Sequence, residues 1–260
     1  MTALAQQTPI APILELRGVA HAFGGLTVLR DVSFSVPQGG IAGLIGPNGS
    51  GKTTLFNITS GFLLPKAGEV LLQGRPITRA PVQARSRAGL IRTFQTPKLF
   101  GHMTVAENVA LGLYNETSSG FWSAMLRTPA ERRERGMVAE RTAAMLARFG
   151  LDRLATTRAG ELPAGQQRIV EIARARMASP RLLLLDEPSS GLSQDEVFRL
   201  RDWIEELAAE GITILLVSHD MGLMEVCEDV HALYFGKIIA SGSMAAIQAD
   251  RAVRDAYLGG

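Results

Sequence analysis

A nine-residue glycine-rich stretch constrains this chain more than any other feature. Residues 46 to 54 read GPNGSGKTT and match the pattern G-x-x-x-x-G-K-[ST]. The stretch follows the apolar run IAGLI and precedes a helical pattern. Glycines let such a loop fold tightly with its N–H groups pointing inward, and the N-terminus of the following helix favours negative charge. The sequence therefore predicts a phosphate-binding loop between a strand and a helix.

The pattern of this loop predicts the roles of individual residues in nucleotide binding. We expect Lys52 to meet the β and γ phosphates and Thr53 to hold Mg²⁺. A glycine-rich surface loop without a ligand is the alternative interpretation, and similar loops occur in small-molecule kinases, GTPases and DNA translocases. The loop residues predicted to contact the nucleotide are Gly46, Pro47, Asn48, Gly49, Ser50, Gly51, Lys52, Thr53 and Thr54.

A second motif, LLLLDEP, is acidic and helps to distinguish between these classes of nucleotide-binding protein. Asp186 ends an apolar strand, where it suits a water on Mg²⁺, and Glu187 is suited to align or deprotonate an attacking water. Alone, the pair could be a helix cap or a salt-bridge partner, but a phosphate loop about 130 residues earlier favours catalysis. The chain contains no NKxD motif, which counts against a GTPase.

Length and pattern indicate one α/β unit with an inserted helical block. The 260 residues alternate short strands and helices, with RLLLLD and ITILLVSH typical of buried parallel strands. Between them the pattern is helical: a capping box is predicted at Thr104 and Glu107, and a helix over residues 130 to 149. We expect a tail at residues 1 to 12, a main domain at 13 to 245 with the helical part at about 96 to 178, and an appendage at 246 to 260.

Composition excludes several other classes. The net charge of +2 is too small to argue for nucleic acid, and no apolar run has the roughly 20 residues that cross a bilayer. The N-terminus lacks the features of a secretory signal. Cys227 is the single cysteine, which fits a reducing compartment and a buried, inert thiol.

Six motifs together resemble the ATP-binding-cassette (ABC) ATPases along nearly the whole chain. They are GPNGSGKTT, RTFQ with Gln95, LPAGQQR, LLLLDEP, SSGLS and VSHD with His219, in the family's order and approximate spacing. The resemblance implies a P-loop fold with a RecA-like parallel-sheet core, an antiparallel β-subdomain and an inserted α-helical subdomain. It also implies that ATP is the nucleotide, with Mg²⁺.

The resemblance implies further site residues. Gln95 would touch Mg²⁺ and the attacking water, and His219 would contact the γ-phosphate beside Glu187. Phe23 lies 29 positions before Lys52, where the family places an aromatic ring that stacks on adenine. Each has a plainer alternative: a surface amide for Gln95, a strand-end cap for His219 and a core residue for Phe23.

The LPAGQ sequence departs from the family's usual LSGGQ signature loop. In the family this loop lies at the start of a helix and contacts the γ-phosphate bound to the opposite subunit, so two cassettes enclose two nucleotides. The corresponding residues here are Leu162, Pro163, Ala164, Gly165 and Gln166. The serine hydroxyl is lost, but the N–H groups of the helix start remain, so a working variant is expected. Ser193, where many relatives have Asp or Asn, is a second departure.

Three features resemble the ATPases of branched-chain amino-acid importers. They are FGGLTVLRDVSF, the long helical insertion and the ending VRDAYLGG, with Tyr257 and Leu258 expected to be buried anchors. The resemblance implies a second ABC ATPase subunit (a paralogue or a copy), two transmembrane permeases and, indirectly, a substrate-binding protein. It places the chain on the cytoplasmic face of the inner membrane as a peripheral protein, with residues 96 to 105 and Phe100 passing motion to the permeases.

Other functions remain open at this point. The cassette could serve urea or amide import or lipopolysaccharide export, although the long insertion argues against the export motor. Soluble cassette ATPases in translation or DNA repair usually have two cassettes in one chain, zinc modules or long coiled coils, and this sequence shows none of these features. A P-loop kinase would not explain LPAGQ, Gln95 and His219 together.

Overall fold

The computed structural model describes residues 11 to 116 and 129 to 258. The expected N-terminal tail lies almost entirely outside the described residues, and the side chain of Leu258 is also not described. The described residues form two sheets and a helical lobe.

A four-stranded antiparallel sheet begins the fold. Its first two strands are long and pair with each other in a hairpin whose inward residues are buried. The strand order is β2-β1-β4-β5. The strands are β1 (Pro12–Phe23), β2 (Leu26–Pro37), β4 (Ala67–Leu72) and β5 (Arg75–Pro76).

The central sheet has six strands in the order β10-β9-β3-β8-β7-β6. Pairs β6–β7, β7–β8, β8–β3 and β3–β9 are parallel, and only β10 pairs antiparallel, with β9. Strands β3, β7 and β8 are buried along their whole length, as parallel strands covered on both faces must be. The strands are β3 (Ile41–Ile45), β6 (Leu90–Arg92), β7 (Leu182–Asp186), β8 (Thr213–Val217), β9 (Asp229–Tyr234) and β10 (Lys237–Gly242).

A helical lobe lies between β6 and β7 in the chain. Thr104 and Glu107 form the predicted capping box at the start of α3, and Leu146 of α4 and Phe149 directly after it are buried. The helices of this lobe are α3 (Val105–Ala110), α4 (Pro129–Arg148) and α5 (Ala164–Met177), with 3₁₀ turns at Leu111–Asn115, Asp152–Leu154 and Ala159–Glu161. The predicted fold class, with its two sheets and helical insertion, is confirmed.

The remaining helices cover the sheet and end the chain. Helix α6 buries Leu200, Ile204 and Leu207, and Val197 is partly buried. These helices are α1 (Lys52–Ser60), α2 (Val82–Arg87), α6 (Gln194–Ala209), α7 (Met221–Met224), α8 (Met244–Ala249) and α9 (Arg251–Leu258). Among the described residues, no helix combines the length and the apolar character that a membrane span requires.

Candidate functional site

The glycine-rich loop joins β3 to α1, as its sequence predicts, and close packing requires glycine at both of its ends. A Cβ on Gly46 would lie 2.1 Å from the carbonyl oxygen of Leu233 on β9. Gly51 has a φ of 112°, and a Cβ there would lie 2.7 Å from Leu29. Substitution at either position would force the loop away from the sheet.

Lys52 begins α1 and turns back over the loop. Its Nζ donates to the carbonyl oxygens of Gly46 at 2.6 Å and Pro47 at 3.1 Å. Burial lowers the pKa of Lys52, while the negative charges of Glu187 and Asp186 act in the opposite direction. The ammonium group is thus held at the mouth of the loop, beside both acidic residues of the second motif.

One cavity of about 380 Å³ brings nine of the nineteen predicted site residues together. Residues far apart in the chain share its wall because β3, β7 and β8 end at the same edge of the sheet. The predicted residues that do not line it are Phe23, Gly46, Pro47, Ser50, His219 and residues 162 to 166. Its lining residues are Leu26, Val28, Asn48, Gly49, Gly51, Lys52, Thr53, Thr54, Gln95, Asp186, Glu187 and Val217.

The ligands that Mg²⁺ prefers are present in this cavity. Thr53 offers a hydroxyl, Gln95 an amide oxygen and Asp186 a carboxylate, and Mg²⁺ is commonly held by one or two carboxylates together with substrate phosphates. Ser50, buried in the same loop, has an Oγ without a hydrogen-bond partner among the described residues. A phosphate oxygen would satisfy that hydroxyl, so the donor set fits a nucleotide with its metal.

Arg92 is a site residue that the sequence analysis missed. Its Nη2 donates to Asp186 Oδ2 at 2.8 Å, and both side chains are about 95% buried. Its Nη1 donates to Asn57 Oδ1 at 2.7 Å and to Ser60 Oγ at 2.9 Å, both on α1. Arg92 therefore fixes the acidic strand end against the helix that follows the phosphate loop.

Glu187 and His219 form a pair at the carboxyl ends of β7 and β8. Glu187 Oε2 lies 2.6 Å from His219 Nδ1 and accepts from the His219 backbone N–H at 3.3 Å. Glu187 has a φ of 48°, a left-handed conformation that costs a non-glycine residue about 1 kcal/mol or more. This strained backbone directs the carboxylate into the cavity, whereas the His219 side chain remains 78% exposed.

Phe23 lies at the end of β1 with its ring 52% exposed. The ring contacts His21 edge to face, at 4.7 Å between centroids. The core-residue alternative for Phe23 is therefore wrong. Its role as an adenine contact stays a prediction.

The LPAGQ segment runs into a helix, as predicted. Pro163 is the N-cap of α5 with φ −55° and ψ 152°, and it makes no side-chain hydrogen bond to the helix. Leu162 is buried and anchors the segment, and a Cβ on Gly165 would lie 3.0 Å from Glu196 Oε1 on α6. The N–H groups of the first turn of α5 thus lie behind Pro163 without a capping side chain.

Ser193 caps α6. Its Oγ accepts from the Glu196 N–H at 3.4 Å, and Glu196 Oε2 accepts from the Ser193 N–H at 2.8 Å. Serine, aspartate and asparagine are all favoured N-cap residues. The departure at this position therefore keeps the helix start that Asp or Asn would provide.

The expectation that Tyr257 is a buried anchor is wrong, because its side chain reaches the nucleotide loop instead of the core. Tyr257 is 49% exposed, and α9 is anchored by the buried Val253 and Ala256. Burial raises the pKa of Tyr257 and the Glu187 charge adds to this, whereas the nearby Gly46 N–H lowers it. The C-terminal helix thus contacts the start of the phosphate loop, which no motif in the sequence indicates.

Family models match two parts of the chain. The model described as ABC transporter matches residues 29 to 190. The model described as branched-chain amino acid ATP-binding cassette transporter matches residues 237 to 260, including α8 and α9. The second match begins at β10, before the appendage boundary expected at residue 246.

Curated relatives and solved structures match almost end to end. The high-affinity branched-chain amino acid transport ATP-binding protein LivG of Salmonella typhimurium is 39% identical over 95% of this chain and 98% of its own. BraF of Pseudomonas aeruginosa, described in the same words, is 38% identical over the same shares.

The lipopolysaccharide export system ATP-binding protein LptB of Acidithiobacillus ferridurans is 36% identical over 96% of this chain and 98% of its own. A nucleotide-free ATP-binding cassette from an ABC transporter superposes with a TM-score of 0.83 at 32% identity, covering 96% of this chain and all of that one.

Proposed function

This chain belongs to the ABC transporter family of ATP-binding proteins, and from that membership we propose that it powers an importer of branched-chain or related amino acids. The observation that carries the proposal is the near full-length similarity to LivG together with the branched-chain cassette match at residues 237 to 260. The cavity between the phosphate loop, Gln95, Asp186 and Glu187 supports ATP hydrolysis as the source of energy.

The site residues suggest how hydrolysis proceeds. Lys52 and the loop N–H groups hold the phosphates, and Phe23 offers its exposed ring to adenine. Thr53, Gln95 and Asp186 would hold Mg²⁺, which neutralises charge on the β and γ phosphates. Glu187 aligns and deprotonates the attacking water, and His219 holds the Glu187 carboxylate in place through Nδ1.

The second half of the pocket comes from another subunit in this proposal. Residues 162 to 166 do not line the cavity of their own chain. The start of α5, with no capping side chain from Pro163, has free N–H groups to present to a γ-phosphate on a partner cassette. Closure of two cassettes over the nucleotides then drives two permeases, and hydrolysis allows the cassettes to separate.

The chain would work at the membrane through its partners. We infer a peripheral position on the cytoplasmic face of the inner membrane, with two permeases and, indirectly, a substrate-binding protein. Residues 96 to 105 are proposed to contact the permeases. The proposed organisation is a tail at 1 to 12, a cassette at 13 to 245 with its helical part at about 96 to 178, and an appendage at 246 to 260.

Reconstitution tests this function. The protein is purified from membranes with its associated permeases, placed in proteoliposomes and supplied with Mg-ATP, and uptake of leucine, isoleucine and valine is measured. ATP-dependent uptake that is lost in Glu187→Gln supports the proposal. Permeases that copurify but give no amino-acid uptake, or copurified ribosomes or DNA, would contradict it.

Lipopolysaccharide export is the second candidate, because LptB is nearly as similar over the same length. The same preparation distinguishes the two functions. Copurified subunits that stimulate ATP hydrolysis with lipopolysaccharide, and not with an amino-acid-loaded binding protein, would favour export.

A further inference from the structure

We propose that Arg168 and Glu171 are positioning residues that bind the Gln95 loop to the helix behind the signature loop, so that these two parts of the site move together. The proposal rests on the function proposed above and adds a route between the two nucleotide sites. The Gln95 loop is defined here as residues 94 to 98, and the helix is α5 (Ala164–Met177).

Arg168 holds the first half of the Gln95 loop. Its Nη1 donates to the carbonyl oxygen of Phe94, and its Nη2 donates to the carbonyl oxygen of Gln95. The Arg168 side chain is only 1% exposed. A buried guanidinium whose planar fork meets two successive carbonyl groups fixes the orientation of the backbone that carries Gln95.

Glu171 holds the same loop from one helical turn further along. Its Oε1 accepts from the Lys98 N–H at 3.1 Å and from the Phe94 N–H at 3.4 Å. Its Oε2 accepts from Arg168 Nη1 at 2.9 Å, which closes a buried ion pair. Burial raises the pKa of Glu171, whereas the Lys98 N–H and the Arg168 charge favour the ionised form.

Arg174 adds a third contact on the same face of α5. Its Nη2 donates to the Lys98 carbonyl oxygen at 2.6 Å. Residues 168, 171 and 174 are spaced by three, so they lie along one side of the helix. Through these side chains, one face of α5 holds backbone groups at both ends of the Gln95 loop.

The consequence follows from the length of the helix. Arg168 lies about one turn, and Glu171 about two turns, after Ala164, where α5 begins. Residues 162 to 166 are proposed to meet the partner's nucleotide, whereas Gln95 lines the cavity of its own chain. Because a helix moves as a rigid rod over this distance, closure at one site displaces Gln95 at the other.

A double-mutant cycle on purified full-length transporter tests this inference. Arg168→Met and Gln95→Ala are measured singly and together for kcat and KM of Mg-ATP hydrolysis. We expect Arg168→Met to lower kcat by about tenfold or more and to change KM by less than about twofold. In the Gln95→Ala background the same substitution should change kcat by less than about twofold, because no amide remains to be positioned.

Controls separate positioning from a general loss of structure. Arg168→Lys retains one donor group and should recover part of kcat. Arg176, on the same helix α5, forms a partly exposed ion pair with Glu210 at the end of α6, and Arg176→Met should leave kcat unchanged. If Arg168→Met does not fold, Glu171→Gln enters the same cycle, since it keeps an oxygen for the Lys98 N–H.

Equal losses of kcat with and without Gln95 would overturn the inference. That outcome differs from a failure of the proposed function, in which the wild-type transporter itself would neither hydrolyse ATP nor import amino acids.

Discussion

At the scale of single residues, the buried pair of Arg92 with Asp186 has a clear energetic consequence. Removing one partner of a buried ion pair leaves an uncompensated charge and costs about 3 to 5 kcal/mol. Arg92→Met should therefore lower the melting temperature of the nucleotide-free protein. Mg-ADP should stabilise the Arg92→Met variant more than the wild type, because Mg²⁺ supplies the positive charge that the Asp186 carboxylate has lost.

Thermal unfolding with and without Mg-ADP measures both effects of Arg92→Met. Arg176→Met is the matched control, since the Arg176–Glu210 pair is partly exposed and is worth about 1 kcal/mol or less. A loss of stability no larger than in this control would show that Arg92 is not needed to balance Asp186.

Cys227 gives a pH-dependent prediction. Burial raises the pKa of its thiol to about 12, and the charge of Glu228 adds to this shift. A folded-state pKa above the unfolded value of about 8.5 means that the thiol's contribution to stability is complete below pH 8.5 and is lost as the pH rises toward 12. As the pH rises from about 8.5 to about 12, the free energy of unfolding should fall less steeply for Cys227→Ala than for the wild type.

The same thiol can be tested chemically at pH 8. Reaction of native Cys227 with a disulfide reagent should be at least about a hundredfold slower than in guanidinium chloride, because only the exposed thiolate reacts. Rapid labelling of the native protein would contradict the buried, neutral state.

The functional role of a single residue could be predicted from the sequence only where that residue lies within a short sequence motif. The phosphate loop, Asp186, Glu187 and Gln95 stand in recognisable motifs, and the structure brings them to one cavity. Arg92 and Arg168 lie beside motifs but act across 94 and 74 positions of the chain. The sequence predicted Tyr257 as a buried anchor, and only the packing of α9 places its hydroxyl near Gly46.

At the scale of elements, strand and helix boundaries followed from periodicity and caps. The capping box at Thr104 predicted the start of α3, and the apolar pattern over residues 130 to 149 predicted α4 to within one residue at each end. The pairing order of the six-stranded sheet could not be derived in this way, because β3, β7 and β8 are buried along their whole length and show no alternation that would set the register.

Helix α9 gives a prediction at this scale. Tyr257→Phe removes the hydroxyl that lies near the Gly46 N–H and the Glu187 charge, so the affinity for Mg-ATP should fall by about three- to tenfold. Fluorescent-nucleotide titration measures this change. Tyr234→Phe, on the neighbouring strand β9 with its ring against Phe235, is the control and should bind as the wild type does.

The segment before α3 gives a second prediction. Phe100 has a fixed backbone, with its N–H donating to Asn108 Oδ1 at 2.9 Å, yet its side chain is 50% exposed. We propose that this ring enters the permease, so Phe100→Ala should reduce transport by about tenfold and leave nucleotide affinity within about twofold. Leu64→Ala, at a residue exposed to 57%, is the matched control and should leave transport intact. An equal fall in transport and ATP affinity would contradict the assignment.

At the scale of the whole molecule, the proposed assembly of two cassettes would use two different surfaces of this chain. The cavity with Lys52 and Glu187 would belong to one nucleotide site, and the start of α5 would belong to the other. Pro163 lacks the hydroxyl of the usual signature serine, and a hydrogen bond to a charged group is worth about 1.5 to 3 kcal/mol. The two cassettes should therefore close about ten- to a hundredfold more weakly over the nucleotide that contacts this chain's α5 than over a nucleotide that contacts a standard signature loop.

Unequal sites follow if the partner is a paralogous ATPase with a standard signature loop, as we propose. The cavity of this chain is then closed by the stronger loop, so Glu187→Gln in this chain should remove most of the ATP turnover of the mixed assembly. Replacement of the matching glutamate in the partner should remove much less, because that site is closed by the weaker loop around Pro163.

Pro163→Ser restores the hydroxyl while keeping an N-cap residue at the start of α5, so it should bring the two losses closer together. ATP turnover of singly substituted mixed assemblies on their permeases measures these differences. Equal losses from the two glutamate substitutions, or a fully active symmetric dimer of this chain alone, would show that the hydroxyl missing at Pro163 has no effect on closure.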